Sequence, residues 1–124
     1  MPRTLVSAMA GGILALVPAR PAAADDSWIE YSEIGPILAD HEARHPDLCA
    51  RYDLGLSVEG RHLWALRISD NVLLEEDEPE FKYISTMHGN EILGTTLCVM
   101  LIDHLLTNYG TDPQATNIVD EIEL

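Results

Sequence analysis

The spacing of apolar positions changes several times along the chain, and each change marks an element. Ile34, Ile37, Leu38 and His41 recur at helical spacing, which predicts a helix over 28–45 with Pro36 tolerated in its first turn and Pro46 as its stop. Residues 52–57 read as a short strand, and Val58, Glu59, Gly60 and Arg61 as a turn. The alternation over 62–68 then supplies the second strand of a hairpin. Phe81, Tyr83, Ile84 and Thr86 favour a strand over 80–87. A strongly amphipathic helix over 92–109 follows, closed by Gly110. Asp112 and Pro113 open a further helix as N-cap and first-turn proline, and 118–124 is apolar enough to begin another element. This alternation predicts an α/β class, the N-terminal part of a mixed β-sheet with flanking helices. With no terminating signal at Leu124, a truncated domain is expected.

The leader follows a different grammar. Arg3 precedes an apolar run from Leu5 to Val17, and Ala22, Ala23 and Ala24 supply small residues before Asp25. This predicts a signal peptide over 1–24, cleaved after Ala24, and a secreted or periplasmic mature chain over 25–124. The run is shorter than the roughly 20 apolar residues that span a bilayer, so no membrane span is expected in the mature chain.

Charge narrows the function. Two of the 7 basic residues, Arg3 and Arg20, fall in the leader; the remaining 5 face 21 acidic residues, a balance of −16 from Asp25 onward. Such a surface repels phosphate backbones, which excludes nucleic acid as a partner through a basic patch. A hydrophobic content of 47% with 23% charged residues excludes a disordered acidic tail. Glu75, Glu76, Asp77 and Glu78 run contiguously without the glycine turn of a calcium loop, so 69–79 is expected to be a solvated loop. Arg61 is expected to fix the hairpin turn and Asp70 a loop. Cys49 and Cys98 are too few for a disulfide scaffold; a single bridge and two separate thiols both remain open.

Two motifs carry metal chemistry. His41-Glu42-Ala43-Arg44-His45 matches H-E-x-x-H, in which two imidazoles four apart on a helix face bind zinc and the glutamate activates water. Against it, Pro46 ends the helix at the second histidine, and Arg44 sets a cation beside that ligand. His88-x-x-Glu91 is commoner by chance but sits where a strand gives way to a helix, the position at which α/β sheets build their sites. Gly89 is expected to allow the sharp turn there and Asn90 its unusual dihedrals, so that an imidazole nitrogen and a carboxylate oxygen converge on one ion.

His88-Gly89-Asn90-Glu91-Ile92-Leu93-Gly94 resembles the first zinc motif of the metallocarboxypeptidases of the carboxypeptidase A/E superfamily. Upstream, His45-Pro46-Asp47-Leu48, Gly55-Leu56-Ser57-Val58-Glu59-Gly60-Arg61, Leu66-Arg67-Ile68-Ser69 and Glu78-Pro79-Glu80-Phe81-Lys82-Tyr83 are similar to that family's opening segment in the same order. The form H-G-N-E resembles its regulatory branch. The resemblance implies one Zn²⁺ held by His88, Glu91 and a third, downstream histidine, with peptide C-termini as substrate. It also implies a downstream glutamate base and arginines that clamp the terminal carboxylate. His104, the one histidine after His88, is too near to be the third ligand, and no arginine follows Arg67. The catalytic residues are therefore expected to be absent from this chain, and a fragment inactive alone is the expectation. The alternatives are a non-catalytic fragment, or an H-E-x-x-H endopeptidase using His41 and His45.

Overall fold

The computed structural model describes residues 28–124, so the expected signal peptide over 1–24 lies outside the described residues. The element order is α1 (Tyr31–Arg44), β1 (Cys49–Leu56), β2 (His62–Ile68), α2 (Ile92–Asn108) and α3 (Pro113–Glu121). Helix α1 begins three residues later than its periodicity suggests, because Glu33 satisfies the orphan donor at its start. The Glu33 carboxylate accepts the Glu30 N–H at 2.9 Å. Pro36 nevertheless falls within the helix, one turn beyond its start, rather than in its first turn.

β1 and β2 form an antiparallel hairpin in the register Cys49↔Ile68, Arg51↔Leu66 and Asp53↔Trp64. The register then shifts before Leu56↔His62. Gly55 absorbs that bulge at φ +114°, and the Asp53 carboxylate accepts its N–H at 3.0 Å. β1 starts earlier than 52 because Cys49, Ala50 and Arg51 gain partners across the sheet that no local pattern shows. Arg61 does hold the turn, exchanging its carbonyl and N–H with the Ser57 N–H and hydroxyl at 2.7 and 3.1 Å.

The strand expected over 80–87 is not formed as such. Only Glu80 pairs, in a parallel bridge to Glu123, while Phe81, Tyr83, Ile84 and Met87 are exposed. A strand exists by virtue of its neighbours, and beyond this bridge 81–87 has none among the described residues. The element expected over 118–124 divides between the last turn of α3 and an extended tail. Leu124 exchanges backbone hydrogen bonds of 2.9 and 3.0 Å with Ile68, and Glu123 bonds Phe81 and Pro79 at 2.8 and 3.1 Å. The tail thus lies between β2 and 79–81, with a parallel neighbour on one side of an antiparallel hairpin. This is the mixed sheet in embryo.

The core gathers Cys49 and Ile68 from the hairpin, Leu105 and Leu106 from α2, and Ala115 and Val119 from α3. Gly110, at φ +76°, ends α2, and the Asp112 carboxylate caps α3 by accepting the Gln114 N–H at 2.8 Å. Helix α1 covers the other end of the hairpin, with Gly35 against the Trp64 indole and Arg51 donating to the Gly35 carbonyl at 3.1 Å. Helix α2 departs from the amphipathic pattern expected of it. Only Leu105 and Leu106 are buried, whereas Ile92, Leu93, Leu97 and Met100 face outward. Both cysteines are free. Burial, reinforced by Glu42, pushes the Cys49 thiol up to about 11, so it behaves as an inert core group.

Candidate metal centre

His88, Gly89, Asn90 and Glu91 form one tight turn leading into α2. It is closed by the Glu91 N–H donating to the His88 carbonyl at 3.0 Å. His88 and Glu91 are both exposed, and Glu91 lines an open depression together with Tyr83, Thr86, Met87 and Leu97. The donor set, an imidazole nitrogen and a carboxylate oxygen three residues apart on one turn, suits zinc. Among the described residues, no further histidine, cysteine or acid completes a cluster around this pair.

The dihedrals of the turn are not those expected. Neither Gly89 nor Asn90 has a positive φ. The left-handed residue is Thr86, at φ +56°, two positions before His88. Its β-branched side chain reads in sequence as a strand former, which hid this role. Gly94 matters by a different route. A Cβ on it would lie 2.9 Å from the Ser85 Cβ, so the missing side chain lets the 85–86 segment lie directly on the first turn of α2.

His41, Glu42 and His45 are drawn into the fold. His41 is 3% exposed, and the Arg44 guanidinium donates to its Nδ1 at 3.1 Å. Burial and the Arg44 charge lower its pKa, and they lower that of His45 as well. Glu42 accepts the Arg51 backbone N–H at 2.8 Å, and the helix ends at Arg44, leaving His45 as its C-cap. The imidazoles therefore do not share a helical face open to an ion. His104 lies on α2 with its Nδ1 3.2 Å from the Asn108 amide nitrogen, away from the turn.

The acidic loop is more organised than a solvated run. Asp70, Glu76 and Glu78 bring carboxylate oxygens within 4.8 Å of one another. Partial desolvation and the charges of Glu76, Asp70, Glu121 and Glu123 raise the Glu78 pKa. No sequence signal placed Asp70 there, because its approach depends on the loop folding back. No single helix among the described residues is long and apolar enough to cross a membrane.

The profile of one family, described as zinc carboxypeptidase, matches residues 36–124. Over 95 residues the chain is 41% identical to carboxypeptidase D of Anas platyrhynchos, covering 76% of this chain and 7% of that protein. Over 76 residues it is 50% identical to carboxypeptidase D of Mus musculus, covering 60% and 6%. In three dimensions it resembles a crystal structure of thrombin activatable fibrinolysis inhibitor with a TM-score of 0.72 at 18% identity, covering 79% of this chain and 24% of that one. The chain thus spans less than a tenth of these two relatives and about a quarter of the solved structure, with which it shares its α/β fold.

Proposed function

This chain belongs to the zinc carboxypeptidase family, and from that premise we propose that His88 and Glu91 are two of the protein ligands of one zinc ion in a peptidase that releases residues from peptide C-termini. The observation that supports this reading is the hydrogen-bonded turn from His88 to Glu91, whose two end residues are both exposed and of which Glu91 lines an open depression. The chemistry that a zinc ion held by His88 and Glu91 would supply is polarisation of a scissile carbonyl and a lowered pKa for its bound water. The residues of this chain do the holding. The His88-to-Glu91 turn would fix the ligand spacing at the start of α2.

Residues 25–124 are, in this proposal, the opening portion of the catalytic domain, and 1–24 an export signal. The third ligand, the general base and the carboxylate-binding arginines are supplied by further chain. The 124 residues alone, offering two ligands, bind zinc weakly and do not turn over peptides.

Zinc titration of the 124-residue chain, followed by the histidine ring signals in NMR, tests the ligands. His88 is expected to respond, and His88→Ala or Glu91→Ala to abolish the response. In the natural gene product either substitution is expected to abolish release of C-terminal residues, read by mass spectrometry. Zinc binding that survives His88→Ala but disappears with His45→Ala would overturn the assignment in favour of the upstream motif.

A further inference from the structure

Thr86 is the one non-glycine residue among the described residues with a positive φ. The other three, Gly55, Gly60 and Gly110, are glycines, which take that conformation without a Cβ penalty. An L-residue there is strained by its Cβ, and a β-branched one is a rare occupant. The strain persists because something holds it.

What holds it is a pair of hydroxyls. Thr86 Oγ1 is hydrogen-bonded to Thr95 Oγ1 and lies 3.5 Å from the Glu91 carbonyl oxygen. One arrangement of protons serves both contacts: the Thr95 hydroxyl donates to Thr86 Oγ1, and the Thr86 hydroxyl donates to the Glu91 carbonyl. The same carbonyl accepts the Gly94 N–H at 3.2 Å, and the Glu91 N–H returns to the His88 carbonyl. Residues 86 to 91 are thereby tied at both ends, with His88 and Glu91 inside the tie.

We propose that Thr86 is a positioning residue for the metal centre: its left-handed backbone, tethered through its hydroxyl to Thr95 and to the Glu91 carbonyl, presets the separation and direction of His88 and Glu91. The proposal rests on the reading of those two residues as ligands. Backbone strain retained beside a site, and supported by hydrogen bonds to it, is the expected mark of such preorganisation.

The tether and the strain separate by substitution. Thr86→Gly relieves the strain and removes the hydroxyl, Thr86→Ser keeps the hydroxyl, and Thr86→Val keeps the shape without it. The test is Zn²⁺ titration of each 124-residue variant by histidine ring NMR, alongside its thermal midpoint by circular dichroism. Thr86→Ser is expected to bind as the parent does. Thr86→Gly is expected to keep or raise the midpoint while weakening zinc about tenfold, the scale on which groups that support ligands act. Thr86→Val and Thr95→Val should each weaken zinc, with a combined effect smaller than their sum. Parent affinity in Thr86→Gly overturns the role of Thr86 alone. A parent chain that binds zinc no better than His88→Ala removes the ligand assignment, and this proposal with it.

Discussion

Gly94→Ala is the most direct probe of how the His88-to-Glu91 turn is seated, because the position of the new atom is fixed by the backbone. The added Cβ would lie 2.9 Å from Ser85 Cβ and 3.6 Å from Ser85 Cα and the Thr86 nitrogen. Carbon atoms in comfortable contact sit about 3.5–4.0 Å apart, so the 85–86 segment or the helix must yield by roughly 0.6 Å or more. Ser85 Cβ is attached directly to the backbone, so it cannot swing aside alone, and its movement carries Thr86 with it. Replacing a helical glycine by alanine contributes about 0.5–1 kcal/mol of stability, whereas overpacking costs about 1–3 kcal/mol. The expected net loss is about 1 kcal/mol, accompanied by weaker zinc binding. Ser85→Gly deletes the opposing atom, and in that background Gly94→Ala should instead stabilise by about 0.5 kcal/mol. Urea unfolding of the four chains, with an unchanged slope on denaturant, gives the coupling directly. The same small gain from Gly94→Ala in both backgrounds would refute the close approach.

Two further outcomes follow from groups away from the turn. A Cβ on Gly35 would meet the Trp64 indole at 3.2 Å, and that ring is flanked by Arg51 at 4.9 Å and His62 at 5.3 Å, so it has little room to retreat. Gly35→Ala is therefore expected to cost about 1 kcal/mol and to turn stabilising in a Trp64→Leu background, and urea midpoints that move alike in both would count against the contact. His41, with its folded pKa lowered below the ordinary 6.5 by burial and Arg44, contributes stability that is complete above pH 6.5. That stability is lost as pH falls from 6.5 toward the folded value, because the unfolded chain takes up the proton first. His45 acts in the same sense. Thermal midpoints measured from pH 7.5 down to 5.5 should fall less steeply in His41→Gln than in the parent, and parallel slopes would exclude a buried neutral His41.

Elements with local signals were legible in the sequence, and those defined by distant partners were not. The start of α3 was readable from Asp112 and Pro113 because capping is a contact between near neighbours. β2 was readable at both ends because its alternation and the preceding turn lie within a few residues. The first three residues of β1 were not, since Cys49, Ala50 and Arg51 become strand only by pairing with Ile68, Arg67 and Leu66. Phe81, Tyr83 and Ile84 had the composition of a strand and lacked its neighbour. The pair proposed as ligands, His88 and Glu91, was singled out by spacing plus resemblance, but the left-handed Thr86 was not, because a β-branched residue at positive φ contradicts its own propensity.

The two histidine motifs show why spacing is weaker evidence than the contacts each side chain already makes. In His41-Glu42-x-x-His45 every named member is occupied structurally, as a buried imidazole accepting from Arg44, a carboxylate accepting from Arg51, and a helix cap. His88 and Glu91 are both exposed, and the contacts that shape their turn are made by the backbone and by Thr86 and Thr95. The core that stabilises the chain lies at the far end of α2, around Leu105 and Leu106, while Ile92, Leu93 and Leu97 near the turn remain outside it. The His88-to-Glu91 turn therefore hangs on the less consolidated end of the helix, where local opening costs less than global unfolding. A site so placed cannot borrow rigidity from the core. It depends on the short reach between Thr86, Glu91 and Thr95 and on the space left at Gly94, so changes there should move the geometry of His88 and Glu91 more than the stability of the fold.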